Sequence, residues 1–196
     1  MLIYHINLNY FLMKSSLILI IGALLLIGCN EAIPTNPEYV SDGFDFPVGK
    51  PNAKGYYDEQ PYGKNRHLGS DWNGKGGGNT DLGDPIYSVA NGYVKSAKNL
   101  KGGWGNVIRI IHTLPSGKQV ESLYAHCDKI IVKPNTWVKR GQKIGTIGTC
   151  NGKYLAHLHF EIRSFINMKI GGGYSWFTLG YLNPTKFIKA NRKISR

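Results

Sequence analysis

The segment His157-Leu158-His159-Phe160-Glu161 sets two imidazoles and a carboxylate at alternate positions. In an extended strand alternate side chains share a face. His157, His159 and Glu161 therefore point one way, and Leu158, Phe160 and Ile162 the other. The apolar set packs inward. Two imidazoles and a carboxylate on the opposite face are costly if buried without partners, which points to a cleft or a metal rather than a plain polar surface. Two further groups precede this strand. His67 and Asp71 lie four residues apart, a weak signal alone, and Tyr124-Ala125-His126 brings another imidazole. Two His and one Asp can form a catalytic zinc shell with a fourth position open to water, and imidazole donors favour zinc over magnesium or calcium. The histidines left over are candidates for proton transfer. Glu161 can orient a ring or form a surface ion pair. Tyr124 can offer its hydroxyl to a developing oxyanion or simply pack as an aromatic. His112 ends an aliphatic strand and is expected to be structural.

Strands must carry these groups. The chain has 196 residues, 42% of them hydrophobic and 12% aromatic, enough for a real core. It also has 25 Gly and 9 Pro. A helical bundle tolerates that poorly, since each interior Gly costs roughly 0.5–1 kcal/mol relative to Ala. The pattern predicts short strands separated by Gly: 85–90 and 93–97 joined by an Asn91-Gly92 hairpin turn, 106–112, 119–125 after a turn at Ser116-Gly117, 143–148, and Leu155 to Arg163. One short helix is expected near Thr185 to Lys193. The fold class is all-β, mainly antiparallel. Gly74-Lys75-Gly76-Gly77-Gly78-Asn79 lacks the ending of a phosphate-binding loop and is expected to be a flexible rim. Cys127 and Cys150 are either a disulfide or two independent buried thiols.

Taken in order, His67-x-x-x-Asp71, Tyr124-Ala125-His126 and His157-Leu158-His159-Phe160-Glu161 resemble the lysostaphin/LytM-type zinc endopeptidases. The text between them is similar too: Asp84 to Val94, Gly103-Trp104-Gly105-Asn106-Val107, and Val138 to Gly145. The resemblance covers roughly Phe46 to Pro184. It implies an antiparallel β core crossed by a groove, with one zinc held by His67, Asp71 and His159. It implies a catalytic pair in His126 and His157, whose separate roles the sequence does not assign. The substrate it implies is a peptide bond of peptidoglycan. One stretch departs from the family pattern: Gly148 to Ala156 replaces a Ser/Thr-Gly-rich loop ending in Gly-Pro, which bears on substrate preference more than on chemistry.

The N-terminus bears on location. Leu17 to Ile27 is an aliphatic run too short to span a bilayer as a helix and of the length of a signal-peptide apolar core. It ends in Leu26-Ile27-Gly28-Cys29, which looks like a bacterial lipobox with Cys29 as the lipidated residue. No Lys or Arg precedes Met13, and Met13-Lys14 supplies the expected positive start, so translation is expected to begin at Met13. The expected organisation is a signal peptide over 1–28, lipidated Cys29 and a tether over 29–41, and a peptidase domain over 42–196. The 24 Lys and Arg exceed the 12 Asp and Glu, giving +12, which calls for an anionic partner. Export excludes nucleic acid and leaves peptidoglycan and the membrane. In a two-membrane envelope the expected place is the outer membrane, facing the periplasm. The alternative from another functional class is a non-catalytic LytM-like domain that binds peptidoglycan or regulates another wall hydrolase.

Overall fold

The computed structural model describes residues 33–193. The expected signal peptide, the start at Met13 and lipidation of Cys29 lie outside the described residues. Among the described residues there are ten strands and one α-helix: β1 (Tyr56–Gln60), β2 (Ser70–Gly74), β3 (Pro85–Tyr87), β4 (Gly92–Asn99), β5 (Asn106–Thr113), β6 (Gln119–Ile130), β7 (Trp137–Val138), β8 (Lys143–Ile147), β9 (Leu158–Arg163), β10 (Tyr181–Leu182) and α1 (Pro184–Ala190). The strands form a single sheet in the order β1-β2-β9-β6-β5-β4-β7. β10 adds to β9, and β8 joins β3 to β6. Every pairing is antiparallel, as the strand pattern predicts.

β9 lies between β2 and β6 and is buried throughout. Its Leu158, Phe160 and Ile162 enter the hydrophobic core with Tyr124, Ile108 and Ile110. Emptying a position such as Phe160 to Ala costs about 3–5 kcal/mol in cores of this kind. The β5–β6 hairpin forms at the expected turn, with Gly117 at φ 80°. α1 starts where a side chain caps it: Asn183 Oδ1 accepts from Lys186 N at 2.9 Å, and Pro184 occupies the first turn, where no backbone N–H is needed.

Asn91-Gly92 is not a hairpin turn. β3 pairs with β8, while β4 pairs with β5 and β7. Asn91 is a buried bracket instead. Its amide donates to Val40 O and its Oδ1 accepts from Arg140 N, at 3.1 and 2.9 Å. Gly92 is needed for close approach, since a Cβ there would lie 2.6 Å from Ile111 O. Packing also begins before residue 42. Tyr39 lies 5.1 Å from the Trp137 ring, and Ser41 N donates to Thr113 O at 2.8 Å.

Gly74 to Asn79, expected as a flexible rim, is tied down at both ends. Gly74 N donates to buried Asp81, and Asn79 Oδ1 accepts from Ala156 N at 2.8 Å. Cys127 and Cys150 are both free thiols, and both are buried.

Candidate functional site

β2 and β9 place Asp71 directly across from His159. Four residues earlier, His67 makes an isolated bridge to Tyr174, and the chain between them presses against β9. Gly69 makes that approach possible, because a Cβ there would meet Phe160 O at 2.6 Å and the His159 ring at 3.0 Å. The three side chains are buried, and their donor atoms lie within 4.8 Å of one another. His67 Nε2 is 3.0 Å from His159 Nδ1 and 3.4 Å from Asp71 Oδ1. His159 Nδ1 is 2.9 Å from the same carboxylate oxygen.

The outward atoms of the rings decide what the inward ones can do. His67 Nδ1 lies 2.8 Å from Gln60 O, and His159 Nε2 lies 3.0 Å from Glu161 Oε1. A carbonyl and a carboxylate only accept, so both outward nitrogens carry the proton. In neutral rings the inward nitrogens are then lone pairs, aimed at each other and at Asp71. Something positive has to sit among them. In the metal-free protein a proton does so. Burial works against a charge on His159, but the hydrogen bonds to Asp71 and Glu161 and their charges outweigh it, raising its pKa to about 9. Burial likewise works to raise Asp71, yet the bonds from His159 and His67 hold its carboxyl well below the usual range. Two imidazole nitrogens and one carboxylate oxygen at these separations also suit a divalent metal. Metal–donor bonds of about 2.0–2.1 Å in a tetrahedron set donors about 3.3 Å apart.

The two remaining histidines are held differently. His157 precedes β9, its Nδ1 donating to Leu155 O at 2.9 Å. Its Nε2 faces inward, 4.0 Å from Asp71 Oδ1. His126 sits in a bulge of β6: Asn106 and Ile108 of β5 pair with Cys127 and Tyr124, so three steps of β6 face two of β5. His126 adopts φ 61°. Side chains on either side of the extra residue swap faces. Thus Tyr124 points into the core, and His126 turns to the other side, 4.8 Å from the His157 ring and 5.7 Å from His159. Its Nδ1 is buried without a hydrogen-bond partner. Burial, with His159 and His157 beside it, lowers the His126 pKa to about 3.

Tyr124 is therefore corrected. It is fully buried, its hydroxyl accepts from Val89 N at 3.0 Å, and it does not line the cavity. Burial pushes its pKa up to about 12. Glu161 is no surface ion pair either: it is fully buried against His159 and Arg163. His112 is structural, bonded on both nitrogens to Asn91 O and Ser122 Oγ at 2.8 and 2.7 Å.

A cavity of about 440 Å³ opens over these groups, with Asp71, His126, His157 and His159 in its floor. Its walls include residues that sequence reasoning did not single out as site residues. Trp104 stacks on His126 and donates to Gly171 O at 3.1 Å. Tyr154 lies 5.0 Å from His126, and Tyr174 lies 5.1 Å from His67. Trp104 sits inside a quoted motif, but nothing in the pattern around Tyr154 or Tyr174 marks them.

Curated relatives match about two fifths of the chain. Lipoprotein NlpD of Yersinia enterocolitica is 44% identical over 81 residues, 41% of this chain and 78% of that one. Murein hydrolase activator NlpD of Escherichia coli (strain K12) is 42% identical over 81 residues, again 41% of this chain but 20% of its own length. Peptidoglycan DD-endopeptidase ShyB of Vibrio cholerae is 37% identical over 83 residues, 42% of this chain and 18% of that protein. The chain thus spans a fifth or less of the length of those last two relatives. Among solved structures, lysostaphin from Staphylococcus simulans is similar at a TM-score of 0.53 and 27% identity, covering 69% of this chain and 50% of that one. The sequence pattern of Peptidase family M23 matches residues 66–170, from just before His67 to beyond β9, and on that match the chain belongs to peptidase family M23.

Proposed function

We propose that the chain is a zinc-dependent endopeptidase that hydrolyses cross-link or stem-peptide bonds of bacterial peptidoglycan. One observation carries this reading: three buried donors converge, each ring nitrogen facing away already committed, beside two histidines with nitrogens still unspent. His67 Nε2, Asp71 Oδ1 and His159 Nδ1 would hold the zinc. When bound, it supplies Lewis acidity, making a water acidic enough to ionise near neutral pH and drawing charge from a scissile carbonyl. His157 keeps Nε2 as a lone pair because Nδ1 is spent on Leu155 O; it takes the proton of the attacking water and returns it to the leaving amine. His126 stays neutral at wall pH. Its ring N–H is a donor for the carbonyl oxygen as negative charge builds there. Glu161 fixes the His159 ring, and Trp104 and Tyr154 pack around His126 and limit its access to water.

The same reading places residues 42–196, with the packed segment before them, as the peptidase domain. Residues 1–28 are its signal peptide, and lipid on Cys29 holds it at the envelope, at the outer membrane where there are two. Relatives named as lipoproteins favour this. The Lys and Arg excess suits an acidic wall polymer.

A second reading has its own support. Several relatives are named murein hydrolase activators, so the domain could bind the wall or a wall hydrolase without cutting. The complete donor set and the two unspent histidines favour the enzyme. Purified protein with Cys29→Ser, incubated with sacculi, tests this. Muropeptide release that a chelator stops and zinc restores supports hydrolysis. Binding to sacculi with no release at any zinc level would overturn it in favour of the activator.

A further inference from the structure

Behind His159 the polar face of β9 continues as a row of buried charges. Glu161 and Arg163 follow on the same face of β9, and Glu121 of β6 lies across from Arg163. All three are fully buried. Arg163 Nε donates to Glu161 Oε2 at 2.7 Å, and its Nη2 lies 2.6 Å from the same oxygen. Arg163 Nη1 is 3.7 Å from Glu121, whose two oxygens accept from Arg109 Nε and Nη2 at 2.8 Å each. Signs alternate from the site outward: Asp71, the His159 ring, Glu161, Arg163, Glu121, Arg109.

The far end of this row is spent on one loop. Arg109 Nη2 donates to Met168 O at 2.7 Å, and Arg163 donates to Lys169 O and Ile170 O at 3.3 and 2.9 Å. Asn167 N donates back to Glu121 at 3.3 Å. Four consecutive residues are thus gripped by one charge cluster. The loop then runs into Gly172, Gly173 and Tyr174, which wall the cavity. Burying three charges, with half-buried Arg109 beside them, contributes little stability compared with apolar residues of the same volume. What the cluster does supply is direction. An Arg fork can hold a carboxylate and two carbonyls at fixed angles, which a Lys ammonium cannot.

We propose that Arg163 is a positioning residue that couples the orientation of His159 to the loop walling the cavity. By clamping Glu161 Oε2 it leaves Oε1 facing His159 Nε2–H, which keeps Nδ1 free toward His67 and Asp71. With the same guanidinium it sets the height of the 167–173 wall. The inference rests on the reading of His159 as a zinc donor.

The test uses the purified full-length chain in detergent, with zinc affinity from competition with a chromophoric chelator. Histidine ring tautomers come from 15N spectra, and wall order from hydrogen exchange of residues 167–173. Arg163→Lys is expected to weaken zinc binding about 10–100-fold, to mix the His159 tautomers and to speed exchange across the loop. Arg109→Lys, which touches the loop and Glu121 but not Glu161, is expected to speed exchange while zinc affinity stays within about threefold. Should Arg163→Lys fail to fold, the charge-neutral Glu161→Gln/Arg163→Met pair is read instead, with the same losses expected. Wild-type zinc affinity and tautomers in Arg163→Lys, or in the Glu161→Gln/Arg163→Met pair, would overturn the proposal, and so would weakened zinc binding there with an unchanged loop. A wild-type chain that takes up no zinc would sink the functional reading, while the 15N signal of the His159 Nε2–H bonded to Glu161 and loop exchange in the metal-free chain would still decide the role of Arg163.

Discussion

The two groups of histidines differ in how completely the fold uses their nitrogens. His67 and His159 are braced on the outer side by Gln60 O and Glu161, and meet Asp71 on the inner side. His157 has one backbone bond and an inward nitrogen 4.0 Å from Asp71, and His126 Nδ1 has no partner. Buried polar atoms left unpaired are rare and costly. The difference separates rings that the fold orients on both sides from rings that it leaves with an unpaired nitrogen.

The largest break in this comparison should come from the braced side. His159→Ala is expected to abolish zinc uptake and muropeptide release together, read by metal content and by release from sacculi; retained stoichiometric zinc would contradict its assignment. On the unspent side, His157→Ala should keep the zinc and lose about 10²–10⁴-fold in turnover. Loss of metal in that variant would erase the distinction between the groups.

Acid sharpens the contrast with a fully satisfied histidine. Burial lowers the His112 pKa from 6.5 to about 4. The unfolded chain therefore binds this proton before the folded chain does. Stability is full above pH 6.5 and is lost as the pH falls from 6.5 toward 4, a difference of about 3 kcal/mol. Denaturant midpoints of the chelated protein at pH 7 and pH 4.5 should show most of it, and a flat profile would contradict a buried neutral His112. The smallest effect concerns bracing alone. Glu161→Gln keeps an acceptor near His159 but weakens the grip of Arg163. Zinc affinity should fall about tenfold, and excess zinc should restore turnover; wild-type affinity would show the carboxylate to be dispensable.

Much of this was legible in the chain. The alternation in Leu158 to Ile162 foretells an apolar face in the core and a polar one opposite, as β9 has it, while His157 lies just before the strand. The Ser116-Gly117 turn and the short C-terminal helix follow from local chemistry. Asn91-Gly92 misleads because its hairpin signal is local, whereas Asn91 is consumed by Val40 and Arg140, some fifty residues away on either side. Tyr124 misleads for a related reason. It shares period-2 parity with His126, and that parity holds only if no residue is inserted between them. The bulge inserts one.

The sequence by itself determined which donors exist, that His159 and Glu161 share a face, and that the body is built of strands, because composition and period-2 alternation are local properties. Only the tertiary structure decided that His126 joins that face and that Tyr124 leaves it. It alone set Gln60 O behind His67 and Arg163 behind Glu161. Those outcomes depend on register between strands distant in sequence. A single extra residue in a ladder, invisible in any local pattern, reverses every side chain beyond it.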